Sequence, residues 1–180
     1  SSTADDINTM VTNKTAIGLD GDWNVVISDN TLSAAEIKTI NAGTSGTIDI
    51  SAATTISSST ISDILEIVNN TGATFTTADN YAVTVSDAVT LAQLKALNND
   101  TSGAITLSNT TTDFSGSMAD LKAAFDGTVT SYTGDITITD TTVSAEDVKT
   151  INDAGSGDID ISAATTISSS TISDILEIVN

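Results

Sequence analysis

Ile48 to Asn69 read IDISAATTISSSTISDILEIVN, and Ile159 to Asn180 repeat the same 22 letters without a change, at an offset of 111 residues. A catalytic centre gains nothing from an identical second copy on one chain, whereas a scaffold of stacked units grows by copying. Inside the block, Ile61, Ile64, Leu65 and Val68 fall at i, i+3, i+4, i+7, the stripe of a helix buried on one face. Ahead of them, Ile48 and Ile50 alternate with Asp49, as on a strand with one buried side. The block therefore reads as strand then helix.

Working outward, ISDNTLSAAEIKTIN from Ile27 pairs with ITDTTVSAEDVKTIN from Ile138 at the same offset. In the second of these, Val143 is followed by Ser144, Asp147 and Val148, a helix cap with an acid three residues on and an apolar staple around it. Leu32, Ser33, Glu36 and Ile37 repeat it, as do Val89, Thr90, Gln93 and Leu94. Thr3 with Asp6 and Ile7, and Ser117 with Asp120 and Leu121, keep the cap and acid without the staple. Ile56, Ser57, Thr60 and Ile61, with Ile167, Ser168, Thr171 and Ile172, keep staple and cap without the acid. Helix starts are thus expected near 3, 33, 57, 90, 117, 144 and 168. Lys38, Lys95, Lys122 and Lys149 each follow the first apolar helix residue and read as a solvated face.

Between helices, Gly-containing turns lead into alternating runs: Ile48 and Ile50, Ile159 and Ile161, Ile136 and Ile138, Val25 and Ile27, Val83 and Val85, Ile105 and Leu107. Each unit becomes strand, short loop, helix, turn. Strands joined by helical crossovers run parallel and the crossover is right-handed. The intervening positions are Thr47, Asp49, Thr106, Thr137, Asp158 and Asp160, so one sheet face is expected to be polar and open. The sequence predicts a right-handed α/β solenoid of about seven strand-helix repeats with one parallel sheet, residues 1–180 forming a single continuous array with a higher-order period of 111 residues. A right-handed parallel β-helix, with Ser/Thr-rich turns in place of helices, is the alternative. The second copy stops abruptly at Asn180, which predicts an excerpt of a longer chain.

Composition narrows the chemistry. The chain has no Cys, His or Pro and carries a net charge of −19. Structural zinc, iron–sulfur, haem and thiol chemistry lose their ligands. Nucleic acid is excluded as a partner, because phosphate binding needs clustered Lys or Arg. No apolar run approaches the roughly 20 residues of a bilayer span, so membrane insertion is not expected.

The run Val25-Val26-Ile27-Ser28-Asp29-Asn30-Thr31-Leu32 resembles the core of leucine-rich repeats, which implies an α/β solenoid. In sequence style, the Ser/Thr/Asp-rich tandem blocks resemble the repeat regions of giant secreted bacterial cell-surface proteins of the marine cyanobacterial type. That resemblance covers the whole chain and implies an extracellular or cell-surface location.

Calcium is the leading ligand candidate. Asp158 and Asp160 lie two apart on a strand and share a face, and Asp49 matches Asp160 in the other copy, so carboxylate oxygens on a rigid face are available to a hard cation. DAGSGDIDIS, residues 153–162, is similar to a calcium-binding toxin repeat, but Ile159 falls where its Asp belongs. Asp20-Gly21-Asp22-Trp23-Asn24 begins like an EF-hand loop and departs from it at Val25 and Thr31, so it reads as a tight turn with Trp23 covering the sheet end. No nucleophile has a neighbouring base, and no catalytic or cofactor-binding residue is expected. The function expected is structural, a repeat segment of a long extracellular or cell-surface protein serving as stalk, layer or filament. Its partners would be neighbouring repeats of the same chain or copies joined end to end. The alternative is an adhesin module holding calcium or glycan on its polar sheet face; the remote one is a polysaccharide-active enzyme.

Overall fold

The computed structural model describes residues 2–126, 129, 131–168 and 170–178, the last two as backbone only. The chain divides into two compact units, Ser1–Asp87 with Asp100–Ala104, and Ala88–Asn99 with Ile105–Asn180. Each mixes short helices with small parallel sheets.

The first unit runs α1 (Ala4–Thr12), α2 (Lys14–Ile17), β1 (Val25–Val26), β2 (Thr31–Leu32), α3 (Ala34–Asn41), β3 (Thr47–Asp49), β4 (Thr55–Ser59), α4 (Ile61–Val68), β5 (Thr74–Thr76) and β6 (Ala82–Val85). Strands β1, β3 and β5 pair parallel, with Val25 opposite Ile48 and Ile48 opposite Phe75. A separate set, β2, β4 and β6, also pairs parallel, aligning Leu32, Ile56 and Val83. Thus each coil makes two short strands before its helix.

The second unit contains α5 (Leu91–Asp100), β7 (Ile105–Leu107), β8 (Phe114–Gly116), α6 (Met118–Phe125), β9 (Ile136–Ile138), β10 (Thr142–Ser144), α7 (Ala145–Asp153), β11 (Ile159–Asp160), β12 (Thr166–Ser168) and α8 (Ile172–Ile178). Here β8, β9 and β11 form one parallel sheet and β10 with β12 another.

Two expectations need correction. The sheets are several small ones rather than one, because the loop assigned between strand and helix holds a second strand. The turn that bends the chain from the first strand to the second is fixed locally: Asp49 accepts the Ser51 N–H at 2.9 Å, and Asp160 accepts that of Ser162 at 2.7 Å. The supposed staple residues Leu32, Ile56, Val143 and Ile167 all lie on these second strands. Helices expected from 57 and 168 begin later for the same reason. Residues 55–59 and 166–168 are strand, and the caps are Thr60 and Thr171, which take the N–H of Asp63 and Asp174 at 3.3 and 3.2 Å. The acid missing from those two caps is therefore present once the cap moves three residues on.

Elsewhere the N-caps are Thr3, Ser33, Thr90, Ser117 and Ser144. Ser33 and Glu36 close a reciprocal capping box. The crossovers are thus helical, unlike those of a β-helix with turns only.

The first unit's core is mainly aliphatic: Ile27, Leu32, Ile37, Ile40, Ile48, Ile56 and Ile64 are fully buried, and Phe75 and Tyr81 are buried beside them. In the second unit the aliphatic rows are interrupted by an aromatic trio. Phe114 stacks on Tyr132 at 5.3 Å between ring centres, and Phe125 tilts against Tyr132 at 5.1 Å. Thr106, Thr137, Asp158 and Asp160 point outward from the strands, as period-two alternation requires.

Stacking is close enough to demand glycine at the turn before a strand. A Cβ on Gly46 would stand 2.5 Å from the Trp23 carbonyl of the preceding coil. Beside it the buried Thr44 hydroxyl donates to that carbonyl and accepts the Gly46 N–H at 3.0 Å. Thr101 and Gly103 repeat the arrangement on the Tyr81 carbonyl.

Candidate functional site

The polar residues of the two units fall into three repeating sets, each joining one coil to the next. The first closes helix N-termini. An α-helix leaves its first N–H groups without internal partners, and the amide of the first helical residue finds an acceptor one coil further on. Ala4 donates to Asp29 (2.6 Å), Ala34 to Ser59 (2.9 Å) and Ile61 to Asp87 (2.8 Å). In the second unit Met118 donates to Asp140 (2.5 Å) and Ala145 to Ser170 (2.7 Å).

The second set is ionic. Lys38 reaches across to Asp63 at 2.6 Å and Glu66 at 3.1 Å, Lys95 to Asp120 at 2.5 Å, and Lys122 to Asp147 at 2.6 Å. The three lysine–aspartate pairs each span 25 residues, from the middle of one helix to the first turn of the next. Lys149 pairs with Asp153 of its own helix. The solvated-face expectation is therefore corrected for Lys38, Lys95 and Lys122, which are partly exposed and bridge adjacent helices. The lysine hydrogen bonds hold the carboxyls of Asp63, Asp120 and Asp147 below the ordinary range, and those to Asp63 and Asp147 raise Lys38 and Lys122.

The third set lies at strand entries. Asn24 accepts the Thr47 N–H at 2.7 Å; in the second unit Asp113 accepts that of Asp135 at 2.9 Å, and Asp135 that of Asp158 at 3.0 Å. The sequence signal for this set is an Asp or Asn directly before the first apolar strand residue, visible at Asn24, Asp113, Asp135 and Asp158 but not singled out there.

Against this background the candidate calcium residues occupy local roles. Asp49 closes β3 by taking both the N–H and the hydroxyl of Ser51, at 2.9 and 2.6 Å, and the Ser51 hydroxyl followed by its amide lowers the Asp49 pKa. Asp160 ends β11 in the equivalent turn, its pKa lowered first by the Ser162 amide. Asp158 is exposed and its own amide is bonded to Asp135. Among the described residues, no group of three or more His, Cys, Asp or Glu side chains is placed to hold a metal ion.

Asp20-Gly21-Asp22-Trp23-Asn24 forms a turn leading into β1, with Trp23 partly buried. Its indole Nε1 is buried without an acceptor among the described residues. Tyr81 and Tyr132 serve structure as well. The Tyr81 hydroxyl donates to Asp100 at 2.7 Å and that of Tyr132 to the Thr112 carbonyl, and burial above all pushes both phenols up.

Concavities are shallow. In the first unit the space between Ile50, Ala53, Ile56, Ile67, Thr77, Ala78 and Tyr81 does not admit a water molecule. In the second, a depression of about 330 Å³ is lined by Leu91, Ala92, Lys95, Ser115, Gly116 and Asp120; its one carboxylate is already bonded to its one ammonium. No described helix is long and apolar enough to cross a membrane. Comparison of the chain with known protein families, curated proteins and solved structures finds no match.

Proposed function

We propose that this chain is a structural repeat segment of a long extracellular or cell-surface protein, serving as stalk, layer or filament material. In this reading the 180 residues are one repeat array, each unit a short right-handed α/β solenoid. The observation that carries the reading is the use made of polar side chains. Helix-cap acceptors, lysines and strand-entry carboxylates recur at near-constant spacing, and each is bonded to the adjoining coil. Such a surface stabilises neighbour-to-neighbour stacking, the energetic basis of linear repeat proteins. The extracellular assignment rests on the sequence-style resemblance and the acidic, Ser/Thr-rich composition.

Thermal melting in calcium and in chelator, paired with a glycan-binding screen, tests the proposal. A scaffold melts at the same temperature in both and retains no glycan. A calcium-dependent rise of several degrees, or retained glycan, would replace it with a ligand-binding adhesin module, because anything bound only by the folded state raises its stability by mass action.

A further inference from the structure

Five helices pass the amide of their first residue to a side chain of the coil that follows, and they use two kinds of acceptor. For Ala34 and Ala145 it is the serine just before the next cap, Ser59 and Ser170, each 25 residues on. For Ala4, Ile61 and Met118 it is an aspartate, Asp29, Asp87 or Asp140, standing two residues beyond the buried Ile27, Val85 or Ile138. Helix α5 has neither. The place just before the next cap, Ser117, is held by Gly116, and the place two residues beyond the buried Leu107 is held by Asn109. Asn109 folds back on its own turn, its Oδ1 taking the amide and the hydroxyl of Thr111, both at 3.3 Å. Among the described residues the Leu91 amide has no acceptor. Packing differs in the same sense. Ala4, Ala34, Ile61, Met118 and Ala145 are all buried at the first helical position, whereas Leu91 is only partly so. At the same spot lies the depression of about 330 Å³, with Leu91 on one wall and Gly116 on another. Further along the helix the usual register is kept: Lys95 meets Asp120 at 2.5 Å and Asn98 donates to the Ala123 carbonyl at 2.9 Å, each across 25 residues.

We infer that this step is a seam built into the second unit: the first turn of α5 opens away from β8 while the rest of the helix stays docked through Lys95 and Asn98. Docking that turn gains one hydrogen bond fewer than docking any of the other five, and it buries less apolar surface. Local opening occurs where such contacts are fewest. Every residue involved lies within the second unit. The scaffold reading gives the seam a use, as the place where a stack under load yields first, but the geometry does not depend on it.

Hydrogen exchange of the full chain, followed by NMR, tests the seam at Leu94. Its amide closes the first turn of α5 on the Thr90 carbonyl at 3.0 Å; the Leu121 amide makes the same bond to Ser117 at 2.9 Å, in a helix supplied by Asp140. Corrected for intrinsic rates, Leu94 is expected to exchange at least about tenfold faster than Leu121, and a smaller difference overturns the seam. Gly116→Ser restores the hydroxyl that Ser59 and Ser170 supply and should remove most of the difference, whereas Gly116→Ala should not. A Cβ at Gly116 would stand 2.6 Å from Leu91 Cδ2, the end of a flexible side chain, so Gly116→Ser is made on a Leu91→Ala background as well. A difference that Gly116→Ser leaves intact in both backgrounds, or that Gly116→Ala removes equally well, also overturns the inference. Calcium or glycan dependence would sink the scaffold reading and leave the seam standing.

Discussion

Residues 48–69 and 159–180 are the same polypeptide in two surroundings. In the first, the isoleucines of β4 and α4 are covered by the coil that follows; in the second, Ile167 and Ile172 stand partly or largely in solvent. Both copies still form a short strand, a Thr cap and a helix. Local structure therefore follows the letters, while burial follows the neighbour. A helix of eight residues is marginal in water, so most of its stability comes from docking rather than from its own propensity.

The largest effect expected to test this contrast is in the core. Ile56→Ala should lower the unfolding free energy by about 2–5 kcal/mol, the usual range for a fully buried isoleucine, and Ile167→Ala by about 1 kcal/mol or less. Urea denaturation of the two variants measures both, and equal losses would break the contrast. A smaller effect is expected from Asp87→Ala, which strips the Ile61 amide of its acceptor and should cost about 1–3 kcal/mol. The second copy provides the built-in comparison, since among the described residues its Ile172 amide has no such partner; Asp87→Asn, which keeps an acceptor oxygen, should recover much of the loss.

The smallest effect is electrostatic. Because Asp49, Asp63 and Asp147 have folded pKa values below the ordinary 3.8, their contribution is fully present above that value and is lost as pH falls through the lower folded one. Lys38 and Lys122 are raised above 10.5, so theirs persists through neutral pH and fades only as pH rises past the raised values. The urea midpoint should hold steady from about pH 5 to 9 and drop below pH 4. High salt should narrow the difference between wild type and Lys38→Met, these being screened surface pairs. A titration centred near neutrality would contradict the assignment, as no histidine is present to produce it.

Much of the fold was legible because its signals are local. The caps at Thr3, Ser33, Thr90, Ser117 and Ser144 need only a hydroxyl followed by a backbone amide three residues away. The strands at Ile48, Ile105 and Ile136 announce themselves by alternation. The second strand of each coil escaped notice because two or three residues such as Thr31-Leu32 are too few to show a period, and an apolar residue before a Ser or Thr also fits a helix staple. Ser57 fits a cap by sequence as well as Thr60 does, because Ser57, Ser58, Ser59 and Thr60 are chemically near-equivalent. Only the pairing of β4 with β2 and β6 selects Thr60.

The candidate site was less legible. Asp49, Asp158 and Asp160 were readable as outward-facing carboxylates, but what each carboxylate or amide bonds depends on the local turn and the adjoining coil. The lysine bridges were hidden for a similar reason: Lys38 and Asp63 are 25 residues apart, and no helical period relates them.

By itself, the sequence determined the period, the helix-forming segments, the alternation of the longer strands and a strongly acidic net charge, since these depend on residue types and side-chain spacing within a few residues. Tertiary structure alone decided that each coil carries two strands in separate small sheets, that lysines and cap acceptors join successive coils, and that one of two identical blocks is buried while the other is open. Those outcomes depend on which backbone lies about one strand spacing away, and 22 identical letters carry no information about their neighbour.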